Sequence, residues 1–235
     1  GRPLLLDGAM GTMLQASGMP AGATPEEFCM ANPDTLRGIH KAYLDAGVDL
    51  LTSCTFGGNI YKLPKSLDVF SFNRRMVEIA KEAAAQAGRP VFVAGNVGPT
   101  GHFAKPLGPV EPRDLIAAFA NQIRGLVAGG ADLIFVETQF DLAEARAAGA
   151  AARQECGLPV MVSMTFEQGV SLTGCTPAIF AETMQNMGVD VVGTNCSLGP
   201  DQMLPVVQGL LGVCECPVMA GPNAGLPGWR GNETG

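Results

Sequence analysis

A parallel α/β barrel is the fold class this sequence predicts, and three observations predict it. Short apolar runs recur seven times, each followed by a segment of helical character with start and stop signals. The runs lack polar–apolar alternation, as expected of strands covered on both faces. With 235 residues the chain is long enough for one large α/β domain, and neither a linker nor an internal repeat beyond the βα period divides it. Strand-then-helix repetition implies βαβ units with right-handed crossovers, whose natural closed form is the eight-fold (β/α)8 TIM-type barrel. Only seven runs are present and about 15 residues follow the last. An eighth unit would need roughly 30 residues. The expectation is therefore a single domain over residues 1–235, a barrel truncated after its seventh strand.

The runs, taken in order, are Leu4–Leu6, Val48–Thr52, Val91–Ala94, Leu133–Val136, Val160–Ser163, Val189–Val192 and Val218–Ala220. The helical segments between them also have readable limits. Asn32-Pro33 opens one that stops at Gly47. Asn73 to Ala87 is another, stopped by Gly88-Arg89-Pro90. Pro112 to Gly130 carries Leu115, Phe119, Ile123 and Leu126 at helical spacing. Asp141 to Cys156 is Ala-rich, Thr176-Pro177 opens one that stops at Gly188, and Pro200 to Leu211 is the last.

Composition excludes several classes. The apolar content of 47% with 31 Gly fits buried strands joined by tight turns, and aromatics are scarce at 6%. A net charge of −7 argues against nucleic acid or anionic membrane as a partner. No apolar run approaches the roughly 20 residues that span a bilayer. The N-terminal stretch turns polar too quickly for a signal peptide. Seven scattered Cys, an odd number, read as reduced thiols of a cytoplasmic enzyme.

In parallel α/β proteins ligands bind at the carboxyl ends of the strands, and there this sequence places its unusual residues. Asp7-Gly8-Ala9-Met10-Gly11-Thr12 follows the first run. Its glycines allow close backbone approach, so free N–H groups could hold a carboxylate. It lacks the third glycine of a dinucleotide fingerprint. The competing reading is a tight turn with Asp7 as a cap. Glu137 directly follows Leu133-Ile134-Phe135-Val136, where a carboxylate is costly to bury without a partner. Either it pairs with a barrel Arg or Lys, or, with Asp7 at the same rim, it awaits a ligand ammonium group. Cys196 sits where the sixth run enters its loop, as a metal ligand, a nucleophile or a small buried hydrophobe. His40 reads as a surface or packing residue within a helix. His102 could reach the rim, but two His support no Ser-His-Asp or Cys-His pairing.

Six motifs carry a resemblance: Leu6-Asp7-Gly8-Ala9-Met10-Gly11-Thr12, Thr55-Phe56-Gly57-Gly58-Asn59, Ala94 through Thr100, Gly130 through Thr138, Asn195-Cys196-Ser197-Leu198-Gly199-Pro200 and Pro222 through Pro227. In this order they resemble the homocysteine S-methyltransferase family, and within it the N-terminal homocysteine-binding modules of cobalamin-dependent methionine synthases. The resemblance implies a catalytic zinc held by three thiolates. Cys196 matches one, while the other two belong to a Gly-Gly-Cys-Cys motif expected beyond Gly235. It implies that Asp7 and Glu137 hold the substrate ammonium, that the Gly8-Ala9-Met10 backbone holds its carboxylate, and that Asn195 and Asn223 support the pocket. The implied reaction methylates the homocysteine thiol to give methionine. The implied donor is methylcobalamin, charged from methyltetrahydrofolate, on a corrinoid-carrying and folate-binding domain or protein. Betaine, S-methylmethionine or S-adenosylmethionine are the alternative donors. This chain alone is expected to be inactive.

The other thiols substitute poorly. Cys214 and Cys216 precede the seventh run, about 15 Å from the rim at strand rise. Zinc needs sulfurs within about 4 Å of one another. Cys54 lies nearer the rim and reads mainly as packing. Cys29, Cys156 and Cys175 have no partner at ligand spacing. A non-catalytic homocysteine-binding or docking domain is the alternative from a different class. A barrel enzyme on phosphorylated substrates fits less well, since no phosphate loop follows the late runs.

Overall fold

A computed structural model describes residues 2–224. Six strands make one sheet in chain order: β1 (Leu50–Thr52), β2 (Phe92–Val97), β3 (Leu133–Gln139), β4 (Val160–Met164), β5 (Val191–Asn195) and β6 (Val218–Gly221). Every neighbouring pair is parallel. Sequential parallel order with a helix in each crossover is the wall of a β/α barrel, here curled and incomplete among the described residues. The helices are α1 (Met10–Ala16), α2 (Pro25–Ala31), α3 (Pro33–Asp45), α4 (Val69–Ala84), α5 (Pro112–Ala128), α6 (Leu142–Glu155), α7 (Pro177–Asn186) and α8 (Pro200–Leu211). None of the described helices is long and apolar enough to cross a membrane.

The expected first strand, Leu4–Leu6, is reduced to a single parallel bridge between Leu6 and Leu50. Its place beside β1 is right: Leu5 carbonyl accepts the N–H groups of Asp49 (2.8 Å) and Leu50 (3.1 Å), and Asp7 N–H donates to Leu50 carbonyl at 3.0 Å. Local chemistry cuts it short. Pro3 has no N–H to give, the Asp49 carboxylate takes the Leu5 N–H at 2.9 Å, and Leu4 and Leu5 are more than half exposed.

Helix starts follow capping chemistry. Asp68 accepts Ser71 N–H at 2.8 Å, Asp141 accepts Glu144 N–H at 3.0 Å and Thr176 accepts Ile179 N–H at 3.3 Å. The Asp68 cap sets α4 at Val69 rather than at Asn73, where apolar spacing alone had put it. At the C-terminal end of α5, Gly130 adopts φ 89°, a conformation that a side chain would strain. The short helices α1 and α2 lie before Asn32, in a segment where sequence reading named no helix.

The strands alternate between two surroundings. Leu51, Val93, Ile134, Val136, Val160, Val162 and Val192 point to the helices and join one large core with Leu115, Phe119, Ile123, Leu126 and Phe180. Leu50, Ala94, Phe135 and Met161 point into the barrel. There they form a separate small cluster with the partly buried Leu6, Leu133, Val191 and Met219. The outer core holds the barrel together, and the inner cluster is the floor on which the rim is built.

Candidate active site

Continue each inward-facing column past that floor and the residues turn polar: Thr52, Asn96, Glu137, Ser163 and, two steps on beyond Gly193, Asn195. They lie within the last turns of the strands, not beyond them, because β2, β3 and β5 run further than the apolar runs did. The lumen thus passes from an apolar floor to a ring of hydrogen-bonding groups at its carboxyl mouth.

β3 reaches this ring through a bulge. Val136 pairs with Val162 and Gln139 with Met164, so Glu137 and Thr138 together oppose Ser163. Thr138 takes φ 58°, a strain of about 1–3 kcal/mol for a non-glycine residue. Its N–H donates to Ser163 Oγ at 3.1 Å. The Ser163 hydroxyl donates in turn to Asn195 Oδ1 at 2.8 Å. That bond fixes which way the Asn195 amide faces. Its NH2 then donates to Thr138 Oγ1 at 2.7 Å, Cys196 Sγ at 3.2 Å and Glu137 Oε1 at 3.5 Å. Asn96 Nδ2 donates to the other Glu137 oxygen at 2.8 Å. Burial raises the Glu137 carboxyl above its ordinary value, with the Asn96 bond opposing.

Asp7 lies at the same mouth. Its two oxygens accept from Thr52, the backbone N–H at 2.8 Å and Oγ1 at 2.9 Å. It therefore anchors to β1 and does not cap α1, whose N-cap Ala9 has no side-chain hydrogen bond. Burial pushes Asp7 up to about 7, the Thr52 bonds oppose, and the charge on Glu137 adds to the rise. Among the described residues no cation acts on either carboxylate. Gly8 packs against Tyr43, whose hydroxyl donates to Ala9 carbonyl at 3.2 Å. A Cβ on Gly8 would come within 3.0 Å of that hydroxyl. Ala9 and Met10 open α1 at this point.

Cys196 is the first residue after β5, with φ 60°, and Ser197 follows with φ 58°. Its N–H donates to Gly221 carbonyl at 3.0 Å, which ties the loop to β6. The residue is exposed at the mouth and is not packed among aliphatics. Burial of the thiol and the nearby Glu137 charge raise its pKa, while Thr138 and Asn195 oppose. A neighbouring cation would reverse that balance. Asn223 N–H donates to Leu198 carbonyl at 2.9 Å, joining the loops after β5 and β6. Gly225 to Pro227, the rest of its motif, lie outside the described residues.

The described residues hold no group of three His, Cys, Asp or Glu that could ligate a metal. Cys196 could supply one thiolate, so a zinc site does not fit the described residues by themselves. Cys54 is packed beneath the loop after β1, with its sulfur 3.5 Å from Cys29 Sγ, a pairing that sequence spacing missed. His102 packs against Tyr61, with ring centres 4.9 Å apart and planes tilted by 54°. His40 is wholly buried.

Sequence reasoning also missed Thr52, Asn96, Ser163 and Tyr43 as members of the site. For the first three a signal existed. Each is the polar residue at an inward position of an otherwise apolar strand, in step with Glu137 and Asn195. Tyr43 gave none, since it reads as part of the apolar face of α3.

The chain was compared with known proteins. A family model described as homocysteine S-methyltransferase matches residues 4–234. The methionine synthase of Mycobacterium leprae is 34% identical over 256 residues, covering 99% of this chain and 21% of that protein. The methionine synthase of Mycobacterium tuberculosis is 32% identical over 252 residues with the same coverage. The chain thus spans about a fifth of the length of these relatives. Among solved structures, the metallated form of the homocysteine methyltransferase MmuM from Escherichia coli superposes with a TM-score of 0.82 at 23% identity. That match covers 95% of this chain and 85% of MmuM, and is a likeness of fold.

Proposed function

We propose, from the premise that this chain belongs to the homocysteine S-methyltransferase family, that it binds homocysteine in the barrel mouth and presents its thiol for methylation to methionine. The observation that carries this reading is the convergence of Asp7 and Glu137, with no cation on either among the described residues, beside the exposed Cys196. Two carboxylates in a partly buried mouth suit an ammonium group, and each is held in place by hydrogen-bond donors. Asn96 and Asn195 orient Glu137, and Thr52 orients Asp7. The backbone of Gly8, Ala9 and Met10, at the start of α1, would receive the α-carboxylate. Asn195, locked by Ser163, offers its NH2 to sulfur at the Cys196 position.

Zinc belongs to the proposal only as far as Cys196 supplies one thiolate. The remaining ligands would come from outside the described residues, and no step is routed through the metal. The donor is proposed to be methylcobalamin on another domain or protein. Exposed apolar side chains on the loops after β1 to β4, namely Phe56, Ile60, Tyr61, Leu107, Phe140 and Leu172, suit the docking of such a partner over the mouth.

The test is calorimetric titration of homocysteine and of 2-aminobutyrate, which keeps the ammonium and carboxylate but lacks sulfur. Glu137→Gln is expected to weaken both ligands alike, by about 1–3 kcal/mol for a lost charged hydrogen bond. Unchanged affinity for both would overturn the ammonium assignment.

A further inference from the structure

Cys29 and Cys54 are separated by 25 residues in sequence, and their sulfurs lie 3.5 Å apart. Both thiols are free. Cys29 has no solvent exposure and Cys54 has 7%. The contact joins two elements that are already pinned together. α2 starts at the Thr24 cap, which accepts Glu27 N–H at 3.3 Å. From its first turn Glu26 reaches across to accept Gly57 N–H at 3.0 Å. A side chain at Gly57 would collide with the Glu26 carboxylate, so α2 and the loop after β1 meet backbone to side chain. Closing a disulfide, with sulfurs about 2.05 Å apart, needs an approach of roughly 1.5 Å between segments already in register. Neither thiol takes part in the proposed homocysteine site, yet Cys54 lies two residues after Thr52, which holds Asp7.

We propose that Cys29 and Cys54 are an oxidisable dithiol, a modification site that takes a small peroxide as co-reactant and closes to a reversible disulfide bracing α2 against the loop after β1. Cys54 has the solvent edge and reacts first. Its sulfur attacks one peroxide oxygen, the O–O bond breaks, and Cys54 becomes a sulfenic acid as one water leaves. Cys29 sulfur then attacks the Cys54 sulfur, the S–O bond breaks, and the hydroxyl leaves with the Cys29 proton as a second water. Two thiols are oxidised by two electrons and one peroxide is reduced to two waters. A thiol reductant reverses the bond by exchange. The Cys54 thiol is held well above its ordinary pKa, first by its hydrogen bond with Cys29 and then by burial. The reaction therefore quickens as pH rises, since the thiolate is the nucleophile.

Hydrogen peroxide on the intact protein, followed by alkylation and peptide mapping without reductant, tests this directly. The expected product is a linked peptide pair containing Cys29 and Cys54, lost on adding dithiothreitol, with the urea midpoint of the oxidised protein above that of the reduced one. Recovery of both cysteines separately alkylated, under conditions that oxidise the exposed Cys196, would overturn the proposal. So would an unmoved urea midpoint in protein that carries the link. In Cys29→Ser the resolving thiol is gone, and Cys54 is expected to accumulate a dimedone adduct of its sulfenic acid. An adduct-free Cys54 there would overturn the order of attack. The mapping of unaltered protein stands whether or not the variant folds.

Discussion

The two faces of one sheet follow opposite rules. Facing the helices, Leu51, Val93, Ile134, Val136, Val160, Val162 and Val192 make an unbroken apolar layer joined to buried side chains of six helices, α3 to α8. Facing the lumen, the same strands alternate onto a floor of four buried residues and then a rim of Thr52, Asn96, Glu137, Ser163 and Asn195. The outer face gains its stability from area removed from water. The rim instead spends hydrogen bonds on fixing buried polar groups, and it accepts a bulge and three positive-φ residues, Thr138, Cys196 and Ser197, to aim them. Adjacent residues on one strand therefore differ in kind. Changes to the outer face act on folding, and changes to the inner face act on binding and chemistry.

The sharpest way to break this comparison is Cys196→Ala. If the proposed function holds, it is expected to abolish homocysteine methylation and zinc retention while leaving the urea unfolding midpoint within error of the parent. Retained turnover would remove Cys196 from the chemistry, and a large loss of stability would mean the inner face folds the barrel after all. Ile134→Ala tests the opposite face, three positions before the bulge. Ile134 is fully buried against the helices. Truncation is expected to cost about 2–5 kcal/mol of stability from lost transfer energy and the residual cavity, with homocysteine affinity unchanged in the folded fraction. A variant as stable as the parent would refute the division of labour.

Ser163→Ala is a smaller and more discriminating change. It removes the hydroxyl that accepts Thr138 N–H and donates to Asn195 Oδ1. The buried neighbours left unpaired cost about 1–3 kcal/mol, and the Asn195 amide is freed to turn. Affinity for homocysteine should fall by more than affinity for 2-aminobutyrate, because the amide faces the sulfur end of the site. An equal fall for both would make Ser163 a structural residue only.

Much of this division was legible in the sequence. The apolar runs located every strand of the sheet, carboxyl-end logic singled out Asp7, Glu137 and Cys196, and the family resemblance added Asn195. What escaped has physical causes. Strand ends were set too early because a polar inward residue such as Asn96 looks like a loop while it is still in the ladder. The Glu137–Thr138 bulge is a matter of register between two strands, which a single chain does not display. The Cys29–Cys54 contact depends on α2, a helix of seven residues whose packing, and not its periodicity, places it. Leu4–Leu6 has strand composition, but Pro3 and Asp49 take away the hydrogen bonds that a strand would need.

The smallest expected effect comes from two buried groups that titrate in opposite senses, one on each side of the comparison. At the rim, Asp7 is raised by burial to about 7, while an unfolded aspartate ionises near 3.8. Across that window the folded protein holds a proton that the unfolded chain has lost, so Asp7 makes stability fall as pH rises. In the helical layer, His40 is lowered by burial to about 4 from 6.5, and both ring nitrogens lack partners. There the unfolded chain holds the extra proton, so His40 makes stability rise with pH over nearly the same range. Each slope is at most about 1.4 kcal/mol per pH unit, and in the intact protein the two offset each other. Asp7→Asn removes one side of the balance. The stability of that variant relative to the parent should climb steadily from about pH 4 to about pH 7, and homocysteine affinity should lose the rise near pH 7 that ionisation of Asp7 confers on ammonium binding. Urea titrations of both proteins across that range check the first outcome and calorimetry the second. Parallel stability curves would mean that Asp7 ionises at its ordinary value, with the mouth already charged and wet before any ligand enters.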